Sequence, residues 1–297
     1  MAKYLIVNAD DYGMCRSANE AVQELFTLGR LKSASIMFPC PAAEEAAAFA
    51  AAHPEYAIGV HLTLTSEWKT YRWKPLTNGK SLVDPAGFMW PGTEDVERNA
   101  AYGDILAEID AQHERALSLG MRPSHLDNHM GTLYGNRTGR PGLLKLILRY
   151  CGEKGYSYRL FDKAYKPMTP RGTPWPVYKA ASVVTRLMAK RYKVILPDYL
   201  LFPDWTRELC EGGYENYRKE ILRQWTSIPE GITETFLHPA KETDELKAIT
   251  PNWFQRVWEY YLMKDPATHA YLAERGITMI SYRELRILKG KGKGKKK

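Results

Sequence analysis

The sequence of 297 residues predicts an α/β fold, a distorted barrel of mainly parallel strands. Short apolar runs rich in β-branched residues alternate with longer runs of helical periodicity, and this order is typical of a parallel sheet. About seven β-runs are present, which suits a barrel-like arrangement. In such folds the functional side chains lie at the C-terminal ends of the strands, so polar residues at those positions deserve most weight.

The strands are predicted where the apolar runs are short and bounded by turn residues. The first covers residues 4–9, with the sequence YLIVNA. Residues 58–64 alternate apolar and polar side chains, which is the period-two pattern of a strand. The other strands are expected at residues 33–38, 124–130, 156–161, 233–237 and 277–281.

Helices are predicted where apolar residues recur every three or four positions. Within residues 16–28, Ala18, Val22 and Leu25 follow this spacing. Residues 95–119 are expected to form one long helix that ends before a glycine. Further helices are expected at residues 42–52, 142–152 and 177–190.

We expect a single domain over residues 1–288, with two insertions and a tail. The insertions, near residues 66–92 and 163–205, interrupt the alternation of strands and helices. The first is rich in Trp, Lys, Pro and Gly and is long enough to serve as a lid or a binding loop. Residues 289–297 contain only Gly and Lys and are expected to be disordered.

Composition excludes several classes of protein. No run of about 18 apolar residues exists, so no membrane partner is predicted. No secretory signal precedes the first strand, so the cytoplasm is the expected compartment. The net charge is +8, but six lysines lie in the tail, which leaves about +2 on the body, and no specific nucleic-acid partner is expected. The four cysteines show no CxxC spacing and are expected to be free thiols.

Two adjacent carboxylates, Asp10 and Asp11, follow the first predicted strand. Two acids at one strand end repel each other and need a cation or a shared proton. A hard divalent cation with oxygen ligands resolves this conflict. The alternative is that one Asp caps the helix that begins near Arg16.

Residues 125–129 have the sequence HLDNH. Alternate residues of a strand share one face, so His125, Asp127 and His129 are expected on the same side, within about 14 Å. Burying three such side chains without partners costs about 1–3 kcal/mol each, which favours a functional use over an exposed edge strand. Asp127 can orient a ligand histidine instead of binding the metal itself.

Four further polar residues lie in or at the end of predicted strands. His61 and His238 each lie near the C-terminal end of a strand, and Glu234 shares a face with His238 by alternation. Arg159 lies within a strand, where it either binds a substrate oxygen or pairs with a carboxylate such as Asp10. Each of these residues also has a purely structural interpretation, as a hydrogen-bonded core histidine or as a member of an ion pair.

The strand ends that carry these residues are expected to converge on the mouth of the barrel. One Asp and two His around a cation, with positions left for water and substrate, form a catalytic metal site in outline. The residues concerned are Asp10, Asp11, His61, His125 and His238.

Five motifs together resemble a known family: NADDYG, GVHLTLT, SHLDNHMG, YSYRLF and TFLHPA. They occur in order and are similar to the motifs of the YdjC-like carbohydrate deacetylases, which include the diacetylchitobiose deacetylases. The resemblance implies a distorted α/β barrel of the glycoside hydrolase/deacetylase type. It also implies a divalent metal, with magnesium first and zinc second, held by Asp11, His61 and His125.

By analogy with the NodB-type polysaccharide deacetylases, Asp10 resembles the catalytic base and His238 the acid. The sequence does not settle which of Asp10 and Asp11 is the ligand and which is the base. The side chains expected to bind substrate or to orient the ligands are Asp127, His129, Arg159 and Glu234. One departure is Ala240, which follows Pro239 where the family usually has glycine.

The implied reaction removes the acetyl group from a small N-acetylated sugar of the chitooligosaccharide kind. A metal-dependent phosphoesterase would use similar ligands, and a second metal site or a phosphate-binding cluster would favour it. A non-catalytic sugar-binding protein would lack an intact base and acid. The oligomeric state is open, with a homodimer as one arrangement. The aromatic residues expected to stack on sugar rings are Trp68, Tyr71, Trp73 and Trp90.

Overall fold

A parallel sheet forms the centre of the computed structural model, which describes residues 2–203 and 211–291. Eight strands within these ranges belong to one sheet, and every strand pair is parallel. They are β1 (Lys3–Tyr12), β2 (Ser33–Ile36), β3 (Ala57–Leu62), β4 (His125–Asn128), β5 (Ser157–Tyr158), β6 (Tyr199–Leu200), β7 (Gly231–Leu237) and β8 (Ile277–Met279).

The described ranges also contain eleven α-helices, which occupy most of the connections between strands. They are α1 (Arg16–Thr27), α2 (Ala43–Ala52), α3 (Thr93–Asn99), α4 (Tyr102–Ser118), α5 (Gly142–Lys154), α6 (Trp175–Tyr192), α7 (Gly213–Thr226), α8 (Asp244–Ile249), α9 (Trp253–Lys264), α10 (Pro266–Glu274) and α11 (Tyr282–Lys291). The apolar residues of α1 that predicted it, Ala18, Val22 and Leu25, are all buried.

The sheet curls so that its two ends approach each other. The strand order is β5-β4-β3-β2-β1-β7-β6, and β8 pairs with the first residues of β1. The Tyr158 N–H donates to the Ile195 carbonyl at 3.2 Å, and the Lys163 N–H donates to the Asp198 carbonyl at 2.9 Å. These bonds connect β5 and the residues after it with the segment that leads into β6. The predicted distorted barrel is therefore confirmed.

The strands at the centre of the sheet are buried along almost their whole length. All six residues of β3 are buried, as are the last eight of β1. Strands covered on both faces have to be nearly continuous apolar runs. Polar side chains in such strands must find partners inside the protein, because an unpaired buried polar group is costly.

Two predicted elements differ from the structure, and one strand was not predicted. The long helix expected at residues 95–119 is broken at Ala100 and Ala101, because loop side chains bind their backbone: the Ala101 N–H donates to Ser81 Oγ, and Arg140 donates to the Ala100 carbonyl. The strand β6 was not predicted, since it has only two residues. The strand expected at residues 124–130 ends at Asn128, where a short 3₁₀ turn begins.

The predicted tail begins too early in the sequence. Helix α11 continues to Lys291, so the first three residues of the expected disordered segment are helical. Lys289 Nζ lies 2.7 Å from an Asp198 oxygen and 3.5 Å from an Asp162 oxygen, and these ion pairs hold the end of the helix. Residues 292–297 lie outside the described part of the chain.

Three of the four cysteines, Cys15, Cys40 and Cys151, are buried free thiols as predicted, and Cys210 lies outside the described residues. Among the helices that the structure describes, none combines the length and the apolar character needed to cross a bilayer.

Candidate active site

The C-terminal ends of the strands surround one cavity of about 440 Å³. β1 delivers Asp10, β3 delivers His61, and His238 follows the end of β7. His129 lies just beyond β4 and lines the same space. Residues distant in sequence therefore meet at one end of the sheet, as expected for a parallel barrel.

Arg159 connects the carboxylates beneath this cavity. Its two terminal nitrogens bind Asp10 in a bidentate pair, at 2.5 and 2.6 Å. One of these nitrogens also lies 2.8 Å from Asp127, and Nε donates to Glu234 at 2.8 Å. The side chain is 3% exposed and stacks on the ring of Phe236. The guanidinium fork suits this task, because it presents several fixed donors to planar carboxylates.

Asp11 lies between two histidines. Its Oδ1 is 3.5 Å from Nε2 of His61 and 3.2 Å from Nδ1 of His129. This oxygen is buried and makes no well-formed hydrogen bond to any described residue. The other oxygen accepts a hydrogen bond from Arg256 of α9 at 2.7 Å. A buried carboxylate oxygen that two ring nitrogens face without good hydrogen-bond geometry is what a cation site leaves when no ion is present.

Each of the two histidines is held by a carboxylate on its far side. His61 Nδ1 donates to Asp127 Oδ1 at 2.8 Å, so its Nε2 faces Asp11. His129 Nε2 donates to Glu67 at 3.1 Å, so its Nδ1 faces Asp11. Metal-ligating histidines in proteins are usually oriented in this way through their other ring nitrogen. The group Asp11, His61 and His129 therefore fits a divalent cation.

The pKa values of this group reflect its mutual pairing. Burial alone lowers the pKa of His61, but Asp127 and Asp10 outweigh it and raise the pKa to about 9. Burial likewise opposes the charge on His129, but Glu67 and Asp11 raise its pKa to about 10. Burial raises the pKa of Asp11, yet Arg256 and the histidines hold it well below its usual value. The Asp11 carboxylate is therefore ionised and can bind a cation.

The backbone at Asp11 is also unusual. Asp11 has φ of +57°, in the left-handed region that residues other than glycine rarely occupy. Its carbonyl accepts a hydrogen bond from the Met14 N–H at 3.0 Å. The turn directs the Asp11 side chain to the histidines, while Asp10 points to Arg159. Strained residues of this kind cluster at functional sites.

A second arrangement of ligands, Asp10, His61 and Asp127, is also close enough to hold an ion. Asp127 is less available in this set, because Ser35 Oγ donates to its Oδ2 at 2.7 Å and Arg159 lies 2.8 Å from the same atom. Its other oxygen accepts from Nδ1 of His61. Asp127 therefore serves to orient His61, as the sequence allowed.

His125 requires a correction, because the structure does not bring it to the other predicted ligands. Its ring stacks on Tyr282 of α11, with centroids 3.7 Å apart, and its Nδ1 is 2.8 Å from Ser124 Oγ. Burial lowers its pKa to about 3. His129 takes the position near Asp11 and His61 that the resemblance assigned to His125.

Glu234 and His238 occupy different depths. Glu234 is fully buried and binds both Arg159 and the hydroxyl of Tyr282, which donates to it at 2.5 Å. Burial raises the pKa of Glu234 to about 7. His238 lines the cavity, and the side chain of Glu259 lies beside it, 3.9 Å from Nδ1. Glu259 also accepts the backbone N–H of His238 at 2.6 Å, which fixes the turn.

The first insertion contributes Glu67 to the site through its contact with His129. Its aromatic rings are not among the described residues that line the cavity. Trp73 is 3% exposed and donates to the Thr65 carbonyl, while Trp90 packs against the main core. Trp68 and Tyr71 pack against a smaller core cluster. The aromatic residues that do line the cavity are Tyr134, Phe202 and Phe236.

Three residues that hold the site in place were not predicted from the sequence. Glu67 belongs to the first insertion, Arg256 to α9 and Tyr282 to α11. Only Glu67 lies in a segment that the sequence predicted to be a lid or a binding loop. The other two belong to ordinary amphipathic helices, in which no local pattern distinguishes them.

Comparison with known proteins places this geometry in context. The chain is 32% identical over 285 residues to a carbohydrate deacetylase from Geobacillus stearothermophilus, covering 96% of this chain and 98% of that protein. It is 31% identical over 185 residues to a chitooligosaccharide deacetylase from Yersinia enterocolitica, covering 59% and 68%. A crystal structure from Enterococcus faecalis, assigned provisionally to cellobiose-phosphate cleavage, has a TM-score of 0.74 at 24% identity and covers 96% of this chain and 99% of that one, which supports the fold.

The family signature itself spans nearly the whole barrel. The signature of the YdjC-like proteins matches residues 4–274, a range that includes β1, the strand ends around the cavity and β7. This match confirms the family that the five motifs predicted. The chain belongs to the YdjC-like family.

Proposed function

We propose that this protein is a divalent-metal-dependent deacetylase of small N-acetylated sugars of the chitooligosaccharide kind. The observation that carries the proposal is the buried Asp11 oxygen between His61 and His129, with Asp10 beside it in one cavity. The names of the relatives from Geobacillus and Yersinia agree with this substrate class.

Asp11, His61 and His129 are the residues that would hold the metal, with magnesium as the first expectation and zinc as the second. When bound, the metal supplies Lewis acidity toward the acetyl carbonyl and lowers the pKa of a water molecule. The site leaves space beside the proposed ligands, because His61 and His129 line the cavity.

Asp10 is proposed as the general base. Its Oδ2 lies 3.9 Å from Nε2 of His61, next to the ligand group but not within it. The bidentate pair with Arg159 and the hydrogen bond from Asn8 fix the direction of its carboxylate. A base held in this way accepts the proton of the attacking water without reorganisation.

His238 is proposed as the general acid for the departing sugar amine. A histidine suits this step because its ordinary pKa is near neutrality. It lines the same cavity as Asp10, and Glu259 fixes its backbone. Tyr134, Phe202 and Phe236 are the aromatic surfaces that would contact the sugar ring.

The alternative functions have less support. The second candidate ligand group at the cavity shares His61 with the first, and its Asp127 is bound by Ser35 and Arg159. Among the described residues this favours one metal site there over the two of a two-metal phosphoesterase. A non-catalytic sugar-binding protein needs neither the base nor the acid, yet Asp10 and His238 both line the cavity.

Acetate release from diacetylchitobiose tests the proposal. The protein is stripped of metal, assayed, and assayed again after addition of magnesium or zinc, with Asp10→Asn alongside and p-nitrophenyl phosphate as a second substrate. We expect metal-dependent release by the wild type and at least a 100-fold loss in Asp10→Asn. Cleavage of the phosphate ester without any acetate release would contradict the proposal.

A further inference from the structure

Helix α6 turns apolar side chains to solvent. Val177, Val184 and Leu187 are 58%, 51% and 60% exposed, whereas Ser182 and Thr185 on its opposite side are buried. A helix at the surface of a globular protein normally buries its apolar face and exposes its polar one. In α6 the inner face packs on the core, with Tyr178 buried, yet the outer face carries apolar side chains as well. This outer face is therefore suited to contact something other than water.

The exposed side chains form one continuous stripe. Positions 177, 180, 184 and 187 recur every three or four residues, which places them along one side of the helix. Ala181 and Val183 flank this line and are also exposed. The stripe therefore runs along most of the 18 residues of the helix.

The charges of α6 all have the same sign. No Asp or Glu occurs from residue 175 to residue 193, while Lys and Arg occur five times. Lys179, Arg186 and Lys190 are exposed and lie at helical spacing along one edge of the stripe. A helix with an apolar face and a purely basic polar face is typical of segments that lie on anionic membrane surfaces.

The C-terminal helix brings a second basic segment to the same side of the molecule. Leu288 of α11 packs in one cluster with Ile195, which lies three residues after the end of α6. Lys289 binds Asp198 in the same segment. The sequence continues beyond Lys291 with four more lysines, at positions 293, 295, 296 and 297. The described part of the chain therefore ends close to the C-terminal end of α6, and the sequence that follows it is basic.

A second copy of the chain is a poorer occupant of this stripe. In a two-fold symmetric antiparallel pair of α6 helices, each basic edge would face its own equivalent, and like charges that face each other destabilise a complex. Arg191 lies in line with Val184 and Leu187 at the C-terminal end of the stripe, where its long side chain can reach lipid headgroups. An anionic surface instead offers opposite charge to all five basic residues.

We propose that α6 binds the surface of an anionic lipid bilayer. The helix lies in the plane of the interface, with its apolar stripe at the boundary of headgroups and acyl chains. The apolar stripe and the basic residues of α6 supply two contributions, since buried apolar area and attraction to anionic lipids both strengthen such binding. The prediction of no membrane partner rested on the lack of a spanning run, which does not bear on this mode of binding.

Vesicle co-sedimentation of the full-length protein tests the proposal. Vesicles of phosphatidylcholine alone are compared with vesicles that contain phosphatidylglycerol in a 7:3 mixture, at low salt. We expect at least tenfold tighter binding to the anionic vesicles, since each basic residue near such a surface strengthens binding about fivefold. At about 1 M salt the preference is expected to disappear, because the Debye length falls to about 3 Å.

Two variants separate the contributions, with one matched control. The double substitution Val184→Glu and Leu187→Glu is expected to weaken anionic binding at least tenfold. Replacement of Lys179, Arg186 and Lys190, the basic edge of the stripe, by Gln is expected to do the same. The control, Leu117→Glu, changes a 41% exposed leucine on α4 and is expected to bind like the wild type.

Equal binding to neutral and anionic vesicles, no binding to either, or wild-type binding by the α6 double variant would each overturn the proposal. Sedimentation velocity without lipid addresses the other occupant. A dimer that the α6 variant converts to a monomer, together with no vesicle binding, would assign the stripe to self-association instead. Acetate release by all variants should match the wild type, which separates this test from that of the proposed function.

Discussion

His125 begins β4 and His129 follows its last residue, but the surroundings of the two histidines differ. His129 faces the cavity, and Asp11 and Glu67 lie against its two ring nitrogens. His125 lies deeper, against the ring of Tyr282, and its Nε2 has no hydrogen-bond partner among the described residues. Burial lowers the pKa of His125 to about 3, whereas the two carboxylates overcome burial at His129 and raise its pKa to about 10.

The same contrast extends to the groups around each histidine. The upper layer, formed by Asp11, His61 and His129, opens onto the cavity and contains an oxygen without a hydrogen bond. The lower layer, formed by His125, Glu234 and Tyr282, is closed and receives a resident cation through Arg159. Residue type alone does not separate a ligand site from a structural network. The deciding properties are the depth of the side chains and their access to the cavity.

The largest effect should come from replacing His129, and it should be absent when His125 is replaced. His129→Ala should lose bound metal and reduce kcat/KM by at least about 1000-fold, because only two ligands would remain. His125→Phe keeps an aromatic ring against Tyr282 and should retain metal at the wild-type stoichiometry. Metal content after dialysis, measured beside acetate release, checks both variants. Loss of metal in His125→Phe with retention in His129→Ala would show that His125, and not His129, is the metal ligand.

The next largest effect should come from Arg159. It binds Glu234 of the lower layer and Asp127, which is the hydrogen-bond partner of His61. Arg159→Met leaves Asp10, Asp127 and Glu234 buried without their common cation and should destabilise the fold by about 3–5 kcal/mol. Arg159→Lys keeps the charge but not the fork, so it should fold better and still lose activity. Urea denaturation measures the free energy of unfolding. The surface control Arg186→Met should change it by less than about 0.5 kcal/mol, and an equal change in both Met variants would refute the role of Arg159.

A smaller effect, visible as a pH dependence, is expected from Glu234. Its folded-state pKa is raised to about 7, so between pH 4.5 and 7 the folded protein binds more protons at this site than the unfolded chain. The free energy of unfolding of the wild type should therefore fall with rising pH, relative to Glu234→Gln, by up to about 3 kcal/mol. Denaturation of both proteins across this window measures the difference. A difference in the free energy of unfolding that stays constant with pH would show that the pKa of Glu234 is not raised.

The smallest effect is expected from the hydroxyl of Tyr282. Tyr282→Phe keeps the ring on His125 but removes the hydrogen bond to Glu234, which should cost about 1–3 kcal/mol of stability. Metal content should stay unchanged, because this change affects only the lower layer. A variant that folds as well as the wild type but loses its metal would place Tyr282 in the upper layer instead.

Much of this molecule follows from local sequence patterns. Buried parallel strands have to be apolar runs, so seven of the eight described strands were predictable, whereas the two residues of β6 carry no such pattern. The helix break at Ala100 depends on Ser81 and Arg140, which are distant in sequence. Helix periodicity alone therefore could not predict the break.

The candidate site was predictable only in part, for a related reason. Alternation places His125 and His129 on one face but does not give their depth, which Tyr282 of the last helix determines. Glu67 reaches His129 from a loop, and Arg256 reaches Asp11 from a helix, through packing between segments that are distant in sequence. The ends of the strands indicate which residues come together at the site. The residues that orient them can be identified only from the structure.

The position of the metal tests the central claim most directly. A crystal of the protein grown with Mn²⁺, with data collected at the manganese absorption edge, locates the ion by anomalous scattering. We predict one strong peak enclosed by Asp11, His61 and His129. A peak among Asp10, His61 and Asp127, a peak beside His125, or no ordered peak in the cavity would contradict the account.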